Sequence, residues 1–543
     1  MKKKLVSVLM VAAMAASLVA CGSNEAASTT TDASASTPAA TTDAAPAEFK
    51  LESITAVVNG TFNIDDGEAG WAEFIEQWQA GVKADKDMDV KLTIQKLDHS
   101  GYEDAVGRLF ASGDYPDVMI MSAEMFKQYA PTGLLWNMAD AYANAEFQNR
   151  MNLPAINEGL MDASGALYGF APTYGNGCVT YVKTAWLENC GINLDDIKTF
   201  DDYYAMLKKF HDEDPDGNGE TGDTYGVVAA GFIGPEAPYV NYLPEFYQNA
   251  YPAILQDANG TWYDGFNTDA NKAALTRLAQ AYQDKVIDPE TLTASTKISR
   301  EKFFSNEQKG SSGCYTYWAG NWYNTLTTNL IKNEVNTELE QLAPIKEIKE
   351  GLGGYLNREA PVWVIIDDGD GNDAREQAIF DAFMDTMLDG DKVQTLWVYG
   401  AEGVHWSTEA ESFKTNEGTS KEKAYEYEAG KFHLKQSPTD PNTIYSKNAL
   451  DPNLIICPLV NGYKDENELI TKGNKFFTSN CVDAPASPSS ETLTNESGTI
   501  NDAKNQVVTK VVTEGMDVDA AMNDLYVNAV GSTVELILSE LNQ

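Results

Sequence analysis

Three strand patterns separated by two helical patterns, all within residues 49–121, constrain the fold of this chain more than any other feature. Residues 49–59 and 90–94 have the β-branched content of strands, and residues 117–121 form a short apolar run typical of a buried parallel strand. Between them, apolar residues recur at helical spacing: Trp71, Phe74, Ile75 and Trp78, then Ala105, Val106, Leu109 and Phe110. This alternation predicts an α/β fold, whose ligands bind beyond the carboxyl ends of the strands.

The N-terminus has the pattern of a lipoprotein export signal. Three lysines precede an apolar run, residues 5–16, that is too short for a membrane span. The run leads into Leu18-Val19-Ala20-Cys21-Gly22, which resembles the bacterial lipobox, so we expect a signal peptide over residues 1–21 and a lipid such as palmitate on Cys21. Residues 22–48 are rich in Ser, Thr, Ala, Asp and Pro, which predicts a flexible tether before a folded body over 49–543.

The charge and the metal-binding residue types exclude several function classes. The chain has 81 acidic against 39 basic residues and a formal net charge of -42, so binding to nucleic acid is not expected. No two of its four histidines have the i, i+4 spacing of a helical zinc site. Six cysteines are present without a Cys-x-x-Cys pair, and we expect the five other than Cys21 to be buried thiols rather than zinc ligands or redox groups.

Seven segments along the chain carry a family resemblance. In order, they are residues 111–118 (ASGDYPDV), 168–172 (YGFAP), 179–183 (VTYVK), 190–192 (CGI), 199–203 (TFDDY), 262–266 (WYDGF) and 401–406 (AEGVHW). Together with the lipobox, they resemble the long subgroup of family-1 extracellular solute-binding proteins, the lipoprotein receptors of sugar-importing ABC transporters.

The resemblance implies an α/β, two-lobed periplasmic-binding-protein-like fold with a ligand cleft between the lobes. Each lobe would be discontinuous in sequence. We expect lobe 1 at roughly 49–170 and 335–398, and lobe 2 at roughly 171–334 and 399–543. Two or more segments would cross between the lobes.

An acidic loop after residue 213 has the spacing of a calcium loop. Oxygen-bearing side chains occupy its positions 1, 3 and 5, and Gly219 occupies position 6, where calcium loops turn sharply. Position 12 is Tyr225 instead of the bidentate glutamate of an EF-hand, so a helix-loop-helix sensor is not expected. The resemblance implies a structural calcium site closed by a later acid; the alternative is a solvated acidic turn. The predicted ligands are Asp214, Asp216, Asn218, Glu220 and Asp223.

Sugar binding has a compositional signature, because aromatic rings stack on pyranose faces while polar side chains bind the hydroxyls. Candidates lie at a strand-to-turn junction, after Pro172 at the expected crossing into the second lobe, at a helix start behind an acidic loop, and in a glycine-containing polar loop. For each, the alternative is core packing. The predicted ligand-binding residues are Trp318, Trp322, Tyr174, Asn176, Trp71, Glu402 and Trp406.

These observations predict a substrate-binding lipoprotein that captures a carbohydrate and delivers it to the transmembrane subunits of an ABC permease. The expected carbohydrate is an oligosaccharide. The protein would be a monomer, anchored by lipid at the extracellular face of a bacterial cell membrane. Nothing singles out two of the many acids as a glycosidase pair, so enzyme activity is not expected. The alternatives are a receptor for peptides or another polar solute, and a surface enzyme that degrades glycans.

Overall fold

The computed structural model describes residues 49–543 except positions 61, 63, 66, 99–100, 152–154, 163, 235, 240, 244–245, 247–253, 306–309, 368, 370, 372, 417–421, 446–449, 465–466, 484–487 and 489. The predicted signal peptide, Cys21 and the predicted tether lie outside the described residues. Residues Phe49–Gln543 form one compact unit. None of the helices in this described part is both long and apolar enough to cross a bilayer.

The strands are β1 Ser53–Val58, β2 Lys91–Lys96, β3 Val118–Met121, β4 Cys178–Lys183, β5 Tyr225–Val228, β6 Ile254–Gln256, β7 Trp262–Asp264, β8 Ser312–Trp318, β9 Leu339–Gln341, β10 Tyr355–Asn357, β11 Val362–Ile365, β12 Trp406–Ser407, β13 Glu411–Thr415, β14 Lys423–Tyr427, β15 His433–Leu434 and β16 Cys481–Asp483.

The α-helices are α1 Trp71–Lys86, α2 Tyr102–Ser112, α3 Ala123–Tyr129, α4 Ala139–Ala143, α5 Ala155–Glu158, α6 Thr184–Asn189, α7 Phe200–Asp212, α8 Asp269–Gln283, α9 Thr296–Phe303, α10 Asn321–Lys332, α11 Lys346–Gly351, α12 Ala374–Ile379, α13 Lys392–Tyr399, α14 Glu468–Thr478, α15 Glu491–Glu514, α16 Val518–Ala521 and α17 Asn528–Leu541. Helix α12 continues as a π-helical turn, Phe380–Met384, and a 3₁₀ turn, Asp385–Leu388; another π-helical segment, Met522–Val527, joins α16 to α17.

The first sheet has the strand order β11, β3, β1, β2. Strand β1 pairs in parallel with β2 and β3, whereas β11 is antiparallel to β3, with Val362 opposite Met121. Every residue of β3 and β11 is buried, as expected for short apolar runs covered on both faces. With α1 and α2 between the strands, the predicted strand and helix alternation of residues 49–121 is confirmed.

The second sheet has the order β5, β8, β4, β9. Strand β4 is antiparallel to both β8 and β9, and β5 is parallel to β8. The buried hydroxyl groups of Thr180 on β4 and Thr316 on β8 bond each other at 2.8 Å, so neither is left without a partner inside the sheet. The remaining strands form two-stranded pairs, β6 with β7, β10 with β16, β12 with β15 and β13 with β14.

Two hydrophobic cores surround the two four-stranded sheets. The first core draws its buried residues from 51–171, 360–406 and 450–457, and the second from 179–355 and 477–537. The chain therefore passes between the cores three times, after residues 171, 355 and 457, and the stretches that follow these residues are called the first, second and third crossing segments below. Residues 339–355 pack in the second core, whereas residues 399–406 and 450–457 pack in the first. Core membership is not the same as a lobe boundary, so the predicted lobe boundaries stay a prediction.

The five cysteines after residue 48 are free thiols, and four of them are buried. Burial raises the pKa of Cys178 to about 12 and the pKa values of Cys190 and Cys457 to about 11, which makes these thiols poor nucleophiles. The prediction of buried thiols is confirmed for these three and for Cys314, whereas Cys481 is half-buried.

Candidate functional site

Two of the predicted tryptophans lie where the second sheet meets the crossing segments. Strand β8 ends at Trp318, which pairs with Cys178 at the start of β4, and α10 begins three residues later. Trp318 and Trp322 are both half-buried, whereas the residues of β8 before Trp318 are all buried. Binding sites of α/β folds lie beyond strand ends, so this edge is the candidate site.

Asn176, on the first crossing segment, and Arg358, on the second, lie beside the end of β8 at Trp318. The Arg358 guanidinium lies over the Trp318 ring, 4.9 Å from its centroid. Arg358 N donates to the backbone oxygen of Asn176 at 3.0 Å, and Asn176 Nδ2 donates to the backbone oxygen of Ala319 at 3.3 Å. Asn176 therefore holds the crossing segment against the end of β8, so part of its hydrogen-bonding capacity is used within the protein.

Trp322 has a second arginine against it. The Arg300 guanidinium, from α9, lies 5.0 Å from the Trp322 ring centroid, and its Nη1 donates to the Tyr317 hydroxyl at 3.0 Å. Tyr317 in turn meets Trp322 edge to face, with ring centroids 4.7 Å apart. A cation-π contact of this kind attracts the guanidinium to the ring face and holds the two side chains together.

Glu236 is the acidic member of this group. Its side chain is only 7% exposed and accepts a hydrogen bond from the Thr296 hydroxyl at 2.9 Å. Burial raises the pKa of the Glu236 carboxyl, while the positive charges of Arg300 and Arg358 oppose that rise. The cluster of Trp318, Trp322, Arg300, Arg358 and Glu236 is called the tryptophan–arginine cluster below.

A polar network links the same edge to the first core. Tyr174 Oη donates to the backbone oxygen of Asn453 at 2.7 Å, and Asn321 Nδ2 donates to Asp451 Oδ2 at 2.8 Å. Burial raises the pKa of the Asp451 carboxyl, although hydrogen bonds from Asn453 and Asn321 favour its ionised form. Tyr174, from the first crossing segment, thus joins the predicted residues Asn176, Trp318 and Trp322 at one place.

The other three predicted ligand residues lie with the first core. Trp71 starts α1 and packs edge to face on Phe62, with ring centroids 6.0 Å apart. Glu402 is tied through its backbone, since Glu402 N donates to the Gln77 side chain at 2.8 Å, while its own side chain is exposed.

Trp406 is buried, and its Nε1 donates to the backbone oxygen of Gly400 at 2.8 Å. Its ring packs against Phe432 and Tyr463, so it has the contacts of a structural side chain. No contact among the described residues joins Trp71, Glu402 or Trp406 to the tryptophan–arginine cluster, and ligand binding by any of the seven residues stays a prediction.

Sequence reasoning missed Arg300, Arg358, Glu236, Asn321 and Asp451. These residues come from separate segments, and none stands in a recognisable local motif. An arginine spaced with helical periodicity on α9 is ordinarily a solvated residue. Only its contact with Trp322 indicates another role, and that contact depends on the tertiary fold.

The acidic loop joins α7 to β5 and folds around Asn218. Asn218 Nδ2 donates to Asp216 Oδ2 at 3.1 Å and to Asp223 Oδ2 at 3.0 Å, while Asn218 N donates to Asp214 Oδ1 at 3.0 Å. Glu220 has an exposed side chain, and its backbone N donates to Asn218 Oδ1 at 2.7 Å.

Carboxylates from three predicted metal ligands thus converge on one residue, Asn218: two accept from its side-chain amide and one from its backbone N–H. The Asp223 Oδ1 atom is buried and accepts no hydrogen bond from the described residues, and burial raises the pKa of Asp216. Within the described part of the chain, however, no three His, Cys, Asp or Glu side chains are placed to hold a metal ion as they stand. The donor set suits a hard cation in its chemistry, because all of its side chains offer oxygen.

Known structures share this fold. An HMO binding ABC-transporter associated solute binding protein from Bifidobacterium longum infantis ATCC 15697 superimposes with a TM-score of 0.59 at 14% identity, covering 90% of this chain and 98% of that chain. That protein is a two-domain solute-binding protein, and the expected α/β two-lobed fold is confirmed.

Two proteins of Bacillus subtilis (strain 168) are similar in sequence. Polygalacturonan/rhamnogalacturonan-binding protein YtcQ is 24% identical over 334 residues, which are 58% of this chain and 62% of YtcQ. Lipoprotein LipO is 30% identical over 142 residues, which are 25% of this chain and 26% of LipO. The chain thus matches about three fifths of one relative's length and about a quarter of the other's.

The family model for bacterial extracellular solute-binding proteins matches residues 69–383. The matched range includes strands β2, β3 and β11 of the first sheet, the whole second sheet and the tryptophan–arginine cluster. Because this match covers more than half of the chain, the protein belongs to the bacterial extracellular solute-binding protein family.

Proposed function

We propose that this protein captures an oligosaccharide between its two lobes and delivers it to the transmembrane subunits of an ABC importer. The observation that carries this proposal is the pair of half-buried tryptophans, Trp318 and Trp322, at the strand edge beside the crossing segments. Indole rings at such an edge suit the faces of pyranose rings, and the nearby amide, carboxylate and guanidinium groups suit sugar hydroxyls. The carbohydrates named for YtcQ point to the same ligand class.

Capture by closure of the lobes follows from where these groups are attached. Trp318 packs against the second core, and Arg300 lies on α9, whose Phe303 belongs to that core. Asp451 precedes buried residues of the first core, and Tyr174 lies on the first crossing segment. A ligand that contacts groups from both cores binds better when they approach, so it shifts the population toward a closed state. A permease that recognises the closed state would then select the loaded receptor.

Thermal unfolding with a panel of mono- and oligosaccharides tests the proposal. A ligand that binds only the folded state at 100 times its Kd adds about 2.7 kcal/mol of stability. We expect a saturable shift with at least one oligosaccharide, and a rise in Kd of about tenfold in Trp318→Ala and Trp322→Ala, since lost stacking and burial cost roughly 1.4 kcal/mol or more. Trp262→Ala is the matched control, because Trp262 is another half-buried tryptophan packed on the second core.

Three outcomes would overturn parts of the proposal. A shift with peptides and none with any sugar would make the protein a polar-solute receptor. Release of new reducing ends from a glycan would make it an enzyme, whereas we propose that it leaves its ligand intact. An equal loss of affinity in the Trp262 control would mean that the tryptophans act through stability alone.

We also propose that lipid on Cys21 anchors the protein at the extracellular face of the membrane, where it acts as a monomer. The lipobox-like sequence before Cys21 supports the anchor, and the match to an extracellular family supports the location. Cys21→Ser should move the protein from the membrane fraction to the medium. Light scattering on the released protein should give the mass of one chain; a dimer mass or continued membrane retention would contradict these proposals.

A structural calcium ion in the acidic loop is a further proposal. Asp214, Asp216, Asn218 and Asp223 would hold it, with Glu220 at the rim, and the ion would balance the gathered carboxylates. Support comes from the convergence of three carboxylates on Asn218 and from the buried, unused Asp223 Oδ1. The family's exterior location supplies calcium, for which oxygen ligands are suited.

Calorimetric titration with calcium and unfolding with and without a chelator test this site. We expect one calcium ion per chain, a higher unfolding temperature with calcium, and loss of both effects in Asp216→Asn/Asp223→Asn. Asp212→Asn is the control, because this exposed acid precedes the loop and pairs with Lys208 at 3.0 Å. Absence of binding heat in the unmodified protein would leave the loop as an acidic turn.

A further inference from the structure

Arginine side chains are concentrated at the tryptophan–arginine cluster. Two of the six arginines in the chain, Arg300 and Arg358, lie with their guanidinium groups over Trp322 and Trp318. One comes from α9 and the other follows β10, so the fold brings them together from distant positions. Both act electrostatically on the buried Glu236 carboxyl. Two arginines at one place are unusual in a chain that has only six and a formal net charge of -42.

Arg300 retains hydrogen-bonding capacity that the protein does not use. Its only hydrogen bond to the described residues goes from Nη1 to the Tyr317 hydroxyl, and no described carboxylate lies within 4.0 Å of its nitrogens. A guanidinium carries five N–H donors in one plane. The contact with Trp322 and the hydrogen bond to Tyr317 restrict the position of the guanidinium, so its remaining donors are held in place as a binding group at the candidate site.

We propose that the captured ligand is an acidic saccharide, and that Arg300 binds the carboxylate of a uronic acid unit beside the Trp322 ring. This inference rests on the proposed function, since it names the substrate class of the same site. A carboxylate presents two oxygens in the planar geometry that a guanidinium fork matches, whereas sugar hydroxyls do not require a charged partner. No described carboxylate pairs with Arg300, so an anionic group of the ligand would be its ion-pair partner.

The charge of the ligand determines how the site discriminates. Esterification of the carboxylate removes its charge and adds a methyl group, but leaves the ring that stacks on the tryptophans. Charge-assisted hydrogen bonds are about twice as strong as neutral ones, and each 1.4 kcal/mol corresponds to a tenfold change in Kd. We therefore expect the acid to bind at least tenfold more tightly than its methyl ester.

The experiment is isothermal titration of the full chain with oligogalacturonates and oligoglucuronates of two to four units. The fully methyl-esterified forms and uncharged oligosaccharides are titrated in parallel. Arg300→Gln should weaken binding of the best uronide at least tenfold, while changing Kd for its ester less than twofold. Arg300→Lys should give an intermediate loss, because it keeps the charge but not the planar fork.

Two matched variants separate charge recognition from structural effects. Arg277→Gln removes the same charge from α8, where the guanidinium lies over Phe200 at 4.9 Å, and should leave uronide binding within twofold of the original. Tyr317→Phe removes the hydrogen bond to Arg300 but keeps the charge, and should retain the preference for acid over ester. A preference that survives Arg300→Gln unchanged would overturn the assignment of Arg300.

Failure of this inference is distinguishable from failure of the proposed function. Binding of uncharged oligosaccharides with no uronide preference would overturn the acidic ligand and leave the sugar receptor intact. Equal loss of acid and ester binding in Arg300→Gln would make Arg300 a residue that positions Trp322. Absence of binding to every saccharide tested would remove the proposed function and this inference together.

Discussion

Asp85 and Asp389 are two carboxyl groups that interact where α1 meets the turn before α13. Asp389 accepts hydrogen bonds from the backbone N–H groups of Asp391, Val393 and Gln394 at 2.8 to 2.9 Å. Both of its carboxylate oxygens therefore already accept hydrogen bonds within the protein. Asp85 Oδ2 is buried and accepts no hydrogen bond from the described residues. Burial, followed by the charge of Asp389, raises the pKa of Asp85 to about 6.

This raised pKa predicts a specific pH dependence of stability. The folded state binds the Asp85 proton more tightly than the unfolded state, whose pKa stays near 3.8. The stabilising contribution is therefore complete below about pH 3.8 and is lost as the pH rises through about 6. In Asp85→Asn we expect this loss to disappear, with a gain on the order of 1 kcal/mol at pH 7.5 after allowance for solvent screening.

Urea unfolding at pH 5 and pH 7.5 measures the effect. Asp87→Asn is the control, because Asp87 is exposed, has a positive φ of 53° that asparagine also tolerates, and has a pKa lowered by Lys83. This control should leave the difference between the two pH values unchanged. A loss of stability in Asp85→Asn at pH 7.5 would show that the ionised pair is tolerated and that the reasoning about Asp85 is wrong.

The crossing segments are the elements on which the candidate site depends. Residues 172–177 pass beside the segment after β10, and Arg358 N donates to the backbone oxygen of Asn176 at 3.0 Å. A side chain at Gly175 would not fit, because its Cβ would stand 1.3 Å from the backbone oxygen of Arg358. Glycine is thus required there by close approach of two backbones rather than by a left-handed conformation.

Gly175→Ala should weaken both folding and ligand binding. Overpacking against a backbone costs roughly 1–3 kcal/mol. Displacement of Arg358 would also remove its guanidinium from Trp318, so the Kd of the sugar ligand should rise by more than the loss of stability explains. Urea unfolding and calorimetric titration at a temperature where the variant is folded measure the two effects.

Gly107→Ala is the matched control for this substitution. Gly107 lies within α2, and a Cβ there would meet nothing within 4 Å. Alanine is the better helix former by about 1 kcal/mol, so this variant should be as stable as the unmodified protein or more so. Unchanged affinity in Gly175→Ala would contradict the role given to the crossing segments.

For the molecule as a whole, the sequence predicts those parts of the fold that depend on residues close together in the chain. The strands and helices of 49–121 are confirmed because their apolar spacing is local. The sheet to which β9 belongs depends instead on a distant partner, because β9 pairs with β4, with Leu339 opposite Lys183, and so joins the second sheet. The same limit applies to the site, since the sequence indicated Trp322 but gave no sign of Arg300, which reaches it only in the folded chain.

The excess of acidic residues predicts how the whole molecule responds to salt. A formal net charge of -42 repels itself more in the compact state than in the expanded one. Salt shortens the screening length from about 30 Å at 0.01 M to about 10 Å at 0.1 M, which weakens this repulsion. Salt also weakens exposed ion pairs such as Lys208 with Asp212, but each contributes little, so stabilisation should dominate.

We expect the unfolding temperature to rise by roughly 2–4 °C between 10 mM and 500 mM NaCl, equivalent to about 1 kcal/mol. Potassium chloride should act equally, because screening does not distinguish the two cations, whereas any calcium effect should saturate at far lower concentration. Near pH 4.3, the isoelectric point, the chain has no net charge to screen and the rise should vanish. A rise of equal size at that pH would show that salt acts through burial of apolar surface instead, because that effect does not depend on net charge.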